Sequence, residues 1–461
     1  MSDHDPRPLC FILMPFGTKQ DPVGGAVEFD RVYRDVLKPA VEDAGMRALR
    51  ADEEQVGGII HKPMFERLVM CEYAVADLTL ANANVYYELG VRHAVRPWST
   101  VLTFAEGFRL PFDLGPLRGV PYALDGGGRP RRREDDRKAL TAALRAARNR
   151  STDSPVFQLL DGLPVPDVSR LRTDVFRERI DLANQHHDRL ARARRAGPAA
   201  VGAFWRSLGD MREVESGVLV DVLLSLRALA AHAEMVDLVE ALPDVLASST
   251  LVREQHAFAL NRAGRGEEAE RVLLRLVADR GPSSETYGLL GRVYKDRWEA
   301  ALERGESLLA RGLLDKAIEA YVQGFESDWR DHYPGINALQ LMGLKELPDP
   351  RVQDLLPVVR YSVQRRLVSG TADYWDHATL LELAVLAEDV EAAAAAASGA
   401  LATVREPWEA TSTLSTLRRL RRAREERGRP MPWALELERA LERVGVSGDA
   451  VQGGAAERVA P

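Results

Sequence analysis

Residues 73–93 of the chain read YAVADLTLANANVYYELGVRH, and this stretch decides the fold of the N-terminal part. It opens with an apolar run that ends near Asp77, which predicts a strand buried on both faces of a sheet. Residues 84–94 then have helical spacing, and Asn82 and Asn84 are of the type that caps a helix start. A strand that leads through a short loop into a helix is typical of parallel βαβ units, so we predict an α/β domain here.

The sequence on either side repeats this alternation of strand and helix. Short apolar runs predict the strands, and apolar residues at helical spacing predict the helices between them. The predicted strands are residues 9–14, 46–50, 73–78, 100–104 and 119–123, and the predicted helices include residues 29–40, 63–70, 84–94 and 133–148. We therefore expect residues 1–150 to form a flavodoxin-like α/β domain with a parallel sheet.

The residues just after the first four predicted strands are candidate ligand contacts, and three of these four segments carry a carboxylate. The carboxyl ends of parallel strands meet at one edge of a sheet, where ligands bind, so these residues are expected to line a ligand site. They are Met14, Pro15, Phe16 and Gly17 after the first strand, Asp52 after the second, Asp77 with Asn82 and Asn84 after the third, and Glu106 after the fourth.

Asp77 and Glu88 are the candidate catalytic residues. Glu88 lies about one turn into the predicted helix, and Gly90 beside it lets that helix approach the sheet, so Glu88 is expected to face Asp77. Two carboxylates across a small cleft can divide the work at an anomeric carbon between nucleophile and proton carrier. The alternative is structural: Asp77 satisfies loop amides and Glu88 is a first-turn carboxylate favoured by the helix dipole. Spacing alone slightly favours the structural alternative.

The segments ADLT and NANVYYELG resemble the signature of the nucleoside 2-deoxyribosyltransferase-like superfamily, which is related in fold to TIR domains. The opening LCFILMPFG and the segment GGIIHK are similar to that superfamily as well. The resemblance implies that Glu88 is the nucleophile or key carboxylate at the ribose C1′, that the ligand is a nucleotide or NAD, and that no cofactor is required. Asn82 and Asn84 stand where the transferases carry a further acidic residue, which leaves a glycohydrolase or a pure binding site open.

Composition limits the other functions. The 461-residue chain has a net charge of −7, which argues against bulk nucleic-acid binding, and its two cysteines, Cys10 and Cys71, lie in apolar runs typical of core positions. No apolar run of about 18 residues exists and the first residues are polar, so we expect no membrane span and a cytoplasmic location. No P-loop, zinc-protease or paired-cysteine motif occurs, so no metal site is predicted.

Residues 151–461 read as an all-helical array. We predict a linker and connecting helix over 151–195, helical domains over 196–345 and 346–446, and a disordered tail over 447–461. Tyr287, Leu290, Gly291 and Tyr294, followed by Ala317, Tyr321 and Gly324, have the spacing of the two helices of a tetratricopeptide repeat, enlarged by about 14 residues between them. The array is therefore expected to be tetratricopeptide-like.

Two segments of this array, residues 284–298 and 329–337, are rich in polar and aromatic side chains. Arg292, Tyr294, Lys295, Tyr333 and Asn337 form a second candidate ligand site for a phosphate or nucleotide, with a surface ion-pair network as the alternative. The motifs GRVYKD and PGIN in these segments, together with GFES between them, resemble the TRAFs-binding region of the apoptosis signal-regulating kinases, over about residues 200–345. That resemblance implies a scaffold for protein contacts and regulation.

The combined domain layout resembles that of bacterial proteins that pair a deoxyribosyltransferase-like domain with a TRAFs-binding module. Three functions stay open at this point. The first is a nucleotide- or NAD-linked sensor or effector in stress or conflict signalling, whose N-terminal domain binds an N-glycosidic bond, with or without cleaving it. The second is a non-catalytic signalling scaffold, and the third is a nucleoside deoxyribosyltransferase. Protein partners, and a homo-oligomer among them, are expected through the helical repeats.

Overall fold

The computed structural model describes residues 5, 7–20, 25–50, 61–108, 119–160, 162–166, 173–347, 349–368 and 373–449. Two compact units divide the chain. The first runs to Arg195 and includes Ser207–Val222, and the second consists of Ala196–Arg206 and the chain from Leu223 onward. No helix in the described ranges is long and apolar enough to cross a membrane.

The first unit alternates strands and helices, as the sequence predicts. Its strands are β1 (Leu9–Leu13), β2 (Thr18–Gln20), β3 (Ala26–Glu28), β4 (Arg47–Arg50), β5 (Tyr73–Asp77), β6 (Thr100–Ala105) and β7 (Gly119–Tyr122). Its helices are α1 (Phe29–Val32), α2 (Lys38–Asp43), α3 (His61–Met70), α4 (Ala83–Val95), α5 (Arg133–Ala146), α6 (Pro155–Leu159) and α7 (Thr173–Ala196). A π-helical turn, Tyr33–Leu37, joins α1 to α2, so that the three segments form one continuous helix.

The main sheet has five strands in the order β4-β1-β5-β6-β7, and every neighbouring pair is parallel. The prediction of a parallel sheet is confirmed. Counted along the chain, these five strands lie in the order 2-1-3-4-5, which is the flavodoxin arrangement. The order reverses between β1 and β5, and in such sheets a crevice for ligands opens at that point. The loops after Leu13 and Asp77 are therefore the two that border the crevice.

Both faces of the sheet are buried, which is why β1 reads as an unbroken apolar run. Cys10 and Ile12 pack in the cluster on one face, and Leu9, Phe11 and Leu13 pack in the cluster on the other. Continuous rather than alternating hydrophobicity is expected for a parallel strand covered by helices on two sides.

The sequence does not predict β2 and β3, which form an antiparallel hairpin beside the main sheet. All three residues of β2 are exposed, so this strand lacks the alternating or continuous apolar pattern that would identify it. The Glu28 N–H donates to the Gly128 carbonyl at 2.9 Å, which attaches the hairpin to the loop after β7.

The first unit extends beyond residue 150, where the sequence places a domain boundary. Phe176 and Ile180 of α7 join the apolar cluster on one face of the sheet, and Asp181 pairs with Arg47 at 2.5 Å. Upstream, the buried Ser154 hydroxyl donates to the His93 carbonyl at 2.7 Å. The segment over residues 151–195 thus packs against the sheet and helices of the α/β unit.

The rest of the described chain is helical. Its helices are α8 (Pro198–Arg206), α9 (Ser216–Ala228), α10 (His232–Ala241), α11 (Asp244–Ala247), α12 (Thr250–Arg262), α13 (Gly266–Arg280), α14 (Ser284–Glu303), α15 (Ser307–Ser327), α16 (His332–Leu344), α17 (Arg351–Val368), α18 (Tyr374–Leu386), α19 (Val390–Thr403), α20 (Pro407–Glu426) and α21 (Ala434–Asp449). The last helix includes 447–449 of the predicted tail, and 450–461 lie outside the described residues.

The residues with the predicted repeat spacing lie on α14 and α15, which are 20 and 21 residues long. The two helices pack along each other through small residues at their contacts. A Cβ on Gly291 of α14 would lie 2.7 Å from the Tyr321 ring of α15, and one on Gly324 would lie 3.1 Å from Pro334. A Cβ on Gly335 of α16 would lie 2.6 Å from Val359. The glycines of GRVYKD, GFES and PGIN therefore all mark close contacts between helices.

Replacing Gly291 with alanine is expected to destabilise the second unit by about 1–2 kcal/mol. Overpacking against the Tyr321 ring costs roughly 1–3 kcal/mol, and the better helix propensity of alanine returns up to about 1 kcal/mol. Gly312 of α15 is the matched control, because nothing lies within 4 Å of its added Cβ. Gly312→Ala should stabilise by about 0.5–1 kcal/mol. Urea unfolding of both variants measures the difference, and equal effects would show that the Gly291 contact is not needed.

Candidate functional site

Asp77 ends β5 and is fully buried. The Thr79 N–H and hydroxyl donate to its Oδ1 at 3.0 and 2.6 Å, and the Tyr122 hydroxyl of β7 donates to Oδ2 at 2.9 Å. Burial raises the pKa of Asp77 to about 6, against these hydrogen bonds, which lower it. Both oxygens of this carboxyl are therefore engaged in fixing the loop after β5 to the neighbouring strands.

Thr79 and Tyr122 belong to the candidate site, and the sequence analysis does not single them out. Besides donating to Asp77, the Thr79 hydroxyl accepts the Ala105 N–H at 2.9 Å, which ties the loop after β5 to the end of β6. A buried tyrosine hydroxyl needs a polar partner, so a tyrosine at the end of a predicted core strand is the signal that points to such a network.

The loop between β5 and α4 is held in an uncommon backbone conformation. Leu80 and Ala81 have φ values of +66° and +50°. Non-glycine residues rarely adopt positive φ, and such strain is often found at ligand-binding loops. Asn82 then caps α4, because its side chain accepts the N–H groups of Asn84 and Val85 at 3.0 and 3.3 Å. The cap predicted at Asn82 is confirmed, and the Asn84 side chain is exposed.

Glu88 lies on α4, one turn from buried Val85 and next to buried Leu89. Positions 85, 88, 89 and 92 share one face of a helix, so Glu88 borders the sheet-facing stripe. It forms no hydrogen bond or ion pair with any residue that the structure describes, and burial alone raises its pKa to about 7. A half-buried carboxyl without a partner that titrates near neutral pH is a candidate acid, base or nucleophile.

Arg92 fixes the helix that carries Glu88. Its guanidinium is fully buried and donates to the Leu68, Cys71 and Glu72 carbonyls at 2.7, 2.8 and 3.1 Å. Arg96, one turn further along, donates to the Val69 carbonyl at 2.7 Å. Two cations thus satisfy the unpaired carbonyls at the end of α3 and complement its dipole. This pair sets the position of α4 against α3.

The loop after β1 forms the other border of the crevice. Met14 and Pro15 are buried, and Gly17 has a φ of +64° that favours glycine. The Gly17 N–H donates to Asp30 Oδ1 at 3.3 Å, and its carbonyl accepts the Phe29 N–H at 3.0 Å. The loop is therefore anchored to the start of the helix that follows the hairpin.

Arg50, at the carboxyl end of β4, is a second residue that the sequence analysis did not select. It pairs with Asp30 at 3.0 Å, and its guanidinium lies 4.2 Å from the Tyr33 ring centroid and 5.3 Å from that of Phe16. Phe16, predicted as a ligand contact, thus stacks with a cation at the sheet edge. The predicted ligand residue Asp52 lies outside the described residues, as does the GGII part of the segment GGIIHK.

The five residues of the second candidate ligand site do not lie together in the structure. The Tyr294 hydroxyl donates to Glu270 Oε1 of α13 at 2.8 Å, and Lys316 donates to the same oxygen at 3.1 Å. Burial alone would raise the pKa of Glu270, but these hydrogen bonds and the one from Arg297 lower it. The Tyr294 hydroxyl is therefore engaged by a partly buried ion-pair network.

The remaining members lie elsewhere. Arg292 hydrogen-bonds with Tyr333, and the Asn337 side chain donates to the Tyr333 carbonyl at 2.9 Å. Lys295, next to Tyr294 in sequence, faces α16 and α20 instead. The structure brings Arg292, Tyr333 and Asn337 together and places Tyr294 and Lys295 among different neighbours.

Neither cysteine has the surroundings of a nucleophile. Cys10 and Cys71 are free and buried, and burial raises the pKa of both thiols. Their predicted place in the core is confirmed. Within the described residues no group of three histidine, cysteine, aspartate or glutamate side chains is arranged to hold a metal ion.

Comparison with known proteins identifies the larger part of the chain. The family model of the MAP3K TRAFs-binding domain matches residues 85–436. The mitogen-activated protein kinase kinase kinase nsy-1 of Caenorhabditis elegans is 32% identical over 193 residues, which cover 37% of this chain and 12% of that protein. Mitogen-activated protein kinase kinase kinase 15 of Mus musculus is 28% identical over 199 residues, which cover 40% of this chain and 14% of that protein.

The chain thus spans only about an eighth of the length of these two kinases. Among solved structures, a human IFIT1 dimer with PPP-AAAA aligns with 67% of this chain and 72% of its own, at 12% identity and a TM-score of 0.28.

Proposed function

Because this chain belongs to the MAP3K TRAFs-binding domain family, we propose that it is a signalling protein with two working parts. The helical array makes regulatory contacts with protein partners. The α/β unit binds a nucleotide-type ligand, a nucleotide or NAD, next to Glu88. The observation that carries the proposal is the half-buried Glu88 carboxyl, without a described partner, on the helix that follows the loop after β5.

The family match supports the protein-contact part of this proposal. It covers the array through α20, and the relatives it points to are protein kinase kinase kinases. Stacked helices provide the extended surfaces that repeat proteins use for binding, and the spacing around Gly291 fits a tetratricopeptide-like repeat. We propose that this array holds partners in a cytoplasmic signalling assembly, in which this chain also pairs with its own copies.

Three features support the ligand part. The loops after β1 and β5 border the point where strand order reverses, which is where such sheets bind ligands. The loop after β5 carries backbone strain at Leu80 and Ala81. The Phe16 ring and the Arg50 guanidinium lie at the same edge, and they suit a base and a phosphate respectively.

Glu88 is the residue that we propose acts on an N-glycosidic bond. Its carboxylate attacks C1′ of the ribose, and the bond from C1′ to the base nitrogen breaks. Nicotinamide leaves as a neutral molecule, and the base of a nucleoside leaves with a proton taken from solvent. Water then attacks C1′, releases the ribose and restores the carboxylate. Asp77 is proposed as a positioning residue, because its oxygens are held by Thr79 and Tyr122.

The burial of Asp77 also favours a second candidate function, a non-catalytic scaffold whose α/β unit only binds its ligand. A glycosidic site with one accessible carboxyl lacks the proton carrier that a pair supplies. A nucleoside deoxyribosyltransferase is the third candidate, and the long helical array is not needed for that reaction.

A ligand screen of the full chain tests the proposal. Thermal unfolding is followed with NAD, nucleosides and nucleoside monophosphates, and each mixture is then analysed by chromatography for released base. We expect at least one nucleotide to raise the unfolding temperature, since binding to the native state alone stabilises it. Stabilisation with released base supports the effector, and stabilisation without it supports the scaffold. No stabilisation by any compound would contradict a nucleotide site.

A further inference from the structure

A small pocket lies in the second unit where α14, α16 and α20 meet. Its lining residues are Lys295, Gln340, Leu341, Leu344, Thr416, Arg419 and Leu420. Inside the pocket only about 10 Å³ is open to the centre of a water-sized group, which is room for roughly one such group. The pocket is thus sized for one polar group rather than for a nucleotide.

Two cations line this pocket, and only one of them has an anionic partner. Arg419 pairs with Glu299 through one guanidinium nitrogen. Lys295 forms no hydrogen bond or ion pair with any residue in the described ranges. Burial, and then the neighbouring Arg419, lower the pKa of Lys295. The two cations therefore repel each other in a partly desolvated place.

The carboxyls around Lys295 are engaged with other groups, and Glu299, which attracts Lys295, forms its ion pair with Arg419. Glu382 of α18 is buried and accepts a hydrogen bond from Gln340 Nε2 at 2.6 Å. Burial raises the pKa of Glu382 to about 7 and so disfavours its charged form. Asp296 accepts the Asn261 amide at 2.6 Å. Nothing among these groups offers Lys295 a full counter-charge at hydrogen-bond distance.

We propose that the pocket binds a compact oxyanion, a carboxylate or a phosphate group, between Lys295 and Arg419. The ammonium and the guanidinium N–H groups not used by Glu299 donate to its oxygens. The Thr416 hydroxyl donates to the Ser412 carbonyl at 3.4 Å, and it turns to donate to the oxyanion when that is bound. The three leucines at the wall keep water away and strengthen these charge-assisted bonds. This site lies in the helical array, and it does not depend on a ligand at Glu88.

Calorimetric titration of the full chain tests the proposal, with inorganic phosphate and acetate as the probes at constant ionic strength set by chloride. We expect saturable binding of at least one probe. Lys295→Met, which keeps the length of the stem, should weaken it at least tenfold, and Thr416→Val should weaken it severalfold. Arg311→Gln is the control, because Arg311 is 69% exposed and forms its ion pair with Glu346 away from the pocket.

The two probes separate the sources of the oxyanion. Tighter binding of phosphate assigns the pocket to a phosphate-bearing ligand, and tighter binding of acetate assigns it to a carboxylate, such as one presented by a protein partner. The proposal is overturned if neither probe saturates, or if binding is the same in Lys295→Met and the wild type. Circular dichroism checks that each variant folds. If Lys295→Met does not fold, the binding measured for Thr416→Val decides the outcome.

Discussion

Replacing Glu88 with glutamine is expected to lower turnover of an N-glycosidic substrate at least about a thousandfold, or roughly 4 kcal/mol of barrier. Glutamine has nearly the same size but cannot attack C1′ as an anion or stabilise a positive centre there. Ligand binding should change only severalfold, because the Phe16 ring and the Arg50 guanidinium remain. Chromatography of the released base measures turnover, and equal rates in both proteins would remove Glu88 from the mechanism.

The same variant has a readout that does not require activity. The pKa of Glu88 is raised from 4.5 to about 7 by burial, so the protonated carboxyl favours the folded state. That contribution is full below pH 4.5 and is lost as the pH rises through about 7. Glu88→Gln should therefore gain stability over the wild type by about 2 kcal/mol between pH 5.5 and pH 8.

Urea unfolding of the two proteins at both pH values gives this difference. Glu134→Gln is the matched control, because the Glu134 side chain is 75% exposed on α5. Its stability relative to the wild type should not depend on pH in this range. A flat difference for Glu88→Gln would show that the Glu88 carboxyl is solvated like that of Glu134.

Arg92→Met is expected to destabilise the first unit by about 4 kcal/mol, enough to unfold a marginal domain. Each buried carbonyl left without a donor costs roughly 1–3 kcal/mol, and Arg92 serves those of Leu68, Cys71 and Glu72. Removal of the buried charge returns part of this cost, since burial already lowers the pKa of Arg92 to about 10.

Exposed Arg34 supplies the control for this prediction. Arg34→Met also removes one positive charge from a helical segment of the same unit, and it should change the free energy of unfolding by less than about 0.5 kcal/mol. Arg92→Lys should be intermediate, because one ammonium cannot reach three carbonyls in the fork geometry of a guanidinium. Denaturant unfolding followed by near-ultraviolet circular dichroism measures all three. A loss at Arg92 no larger than at Arg34 would contradict the capping role.

Much of the first unit could be predicted from the sequence, because strands covered on both sides leave continuous apolar runs. The run at residues 9–14 and the run that ends at Asp77 gave strands within one residue of those in the structure. The cap at Asn82 was predictable because its partners are two and three residues away. Interactions between residues close together in the chain can be predicted from the sequence around them.

The surroundings of the candidate site were less predictable, because they depend on contacts across the sheet. Tyr122 reaches Asp77 from a strand 45 residues later, and a buried arginine such as Arg92 reads in sequence as an ordinary surface residue. In the helical array, Arg419 and Glu299 are 120 residues apart. Spacing rules predict which residues share a helix face, but they do not tell which helices meet.

The two cysteines of the first unit have a practical consequence. Cys10 in β1 and Cys71 before β5 are buried, and the sequence has no other cysteine. A thiol-reactive dye can reach them only when the sheet opens, since local unfolding controls access to buried groups. The rate of dye labelling in native buffer therefore reports the opening of the α/β unit alone. The helical array contributes no signal to this measurement, because it contains no cysteine.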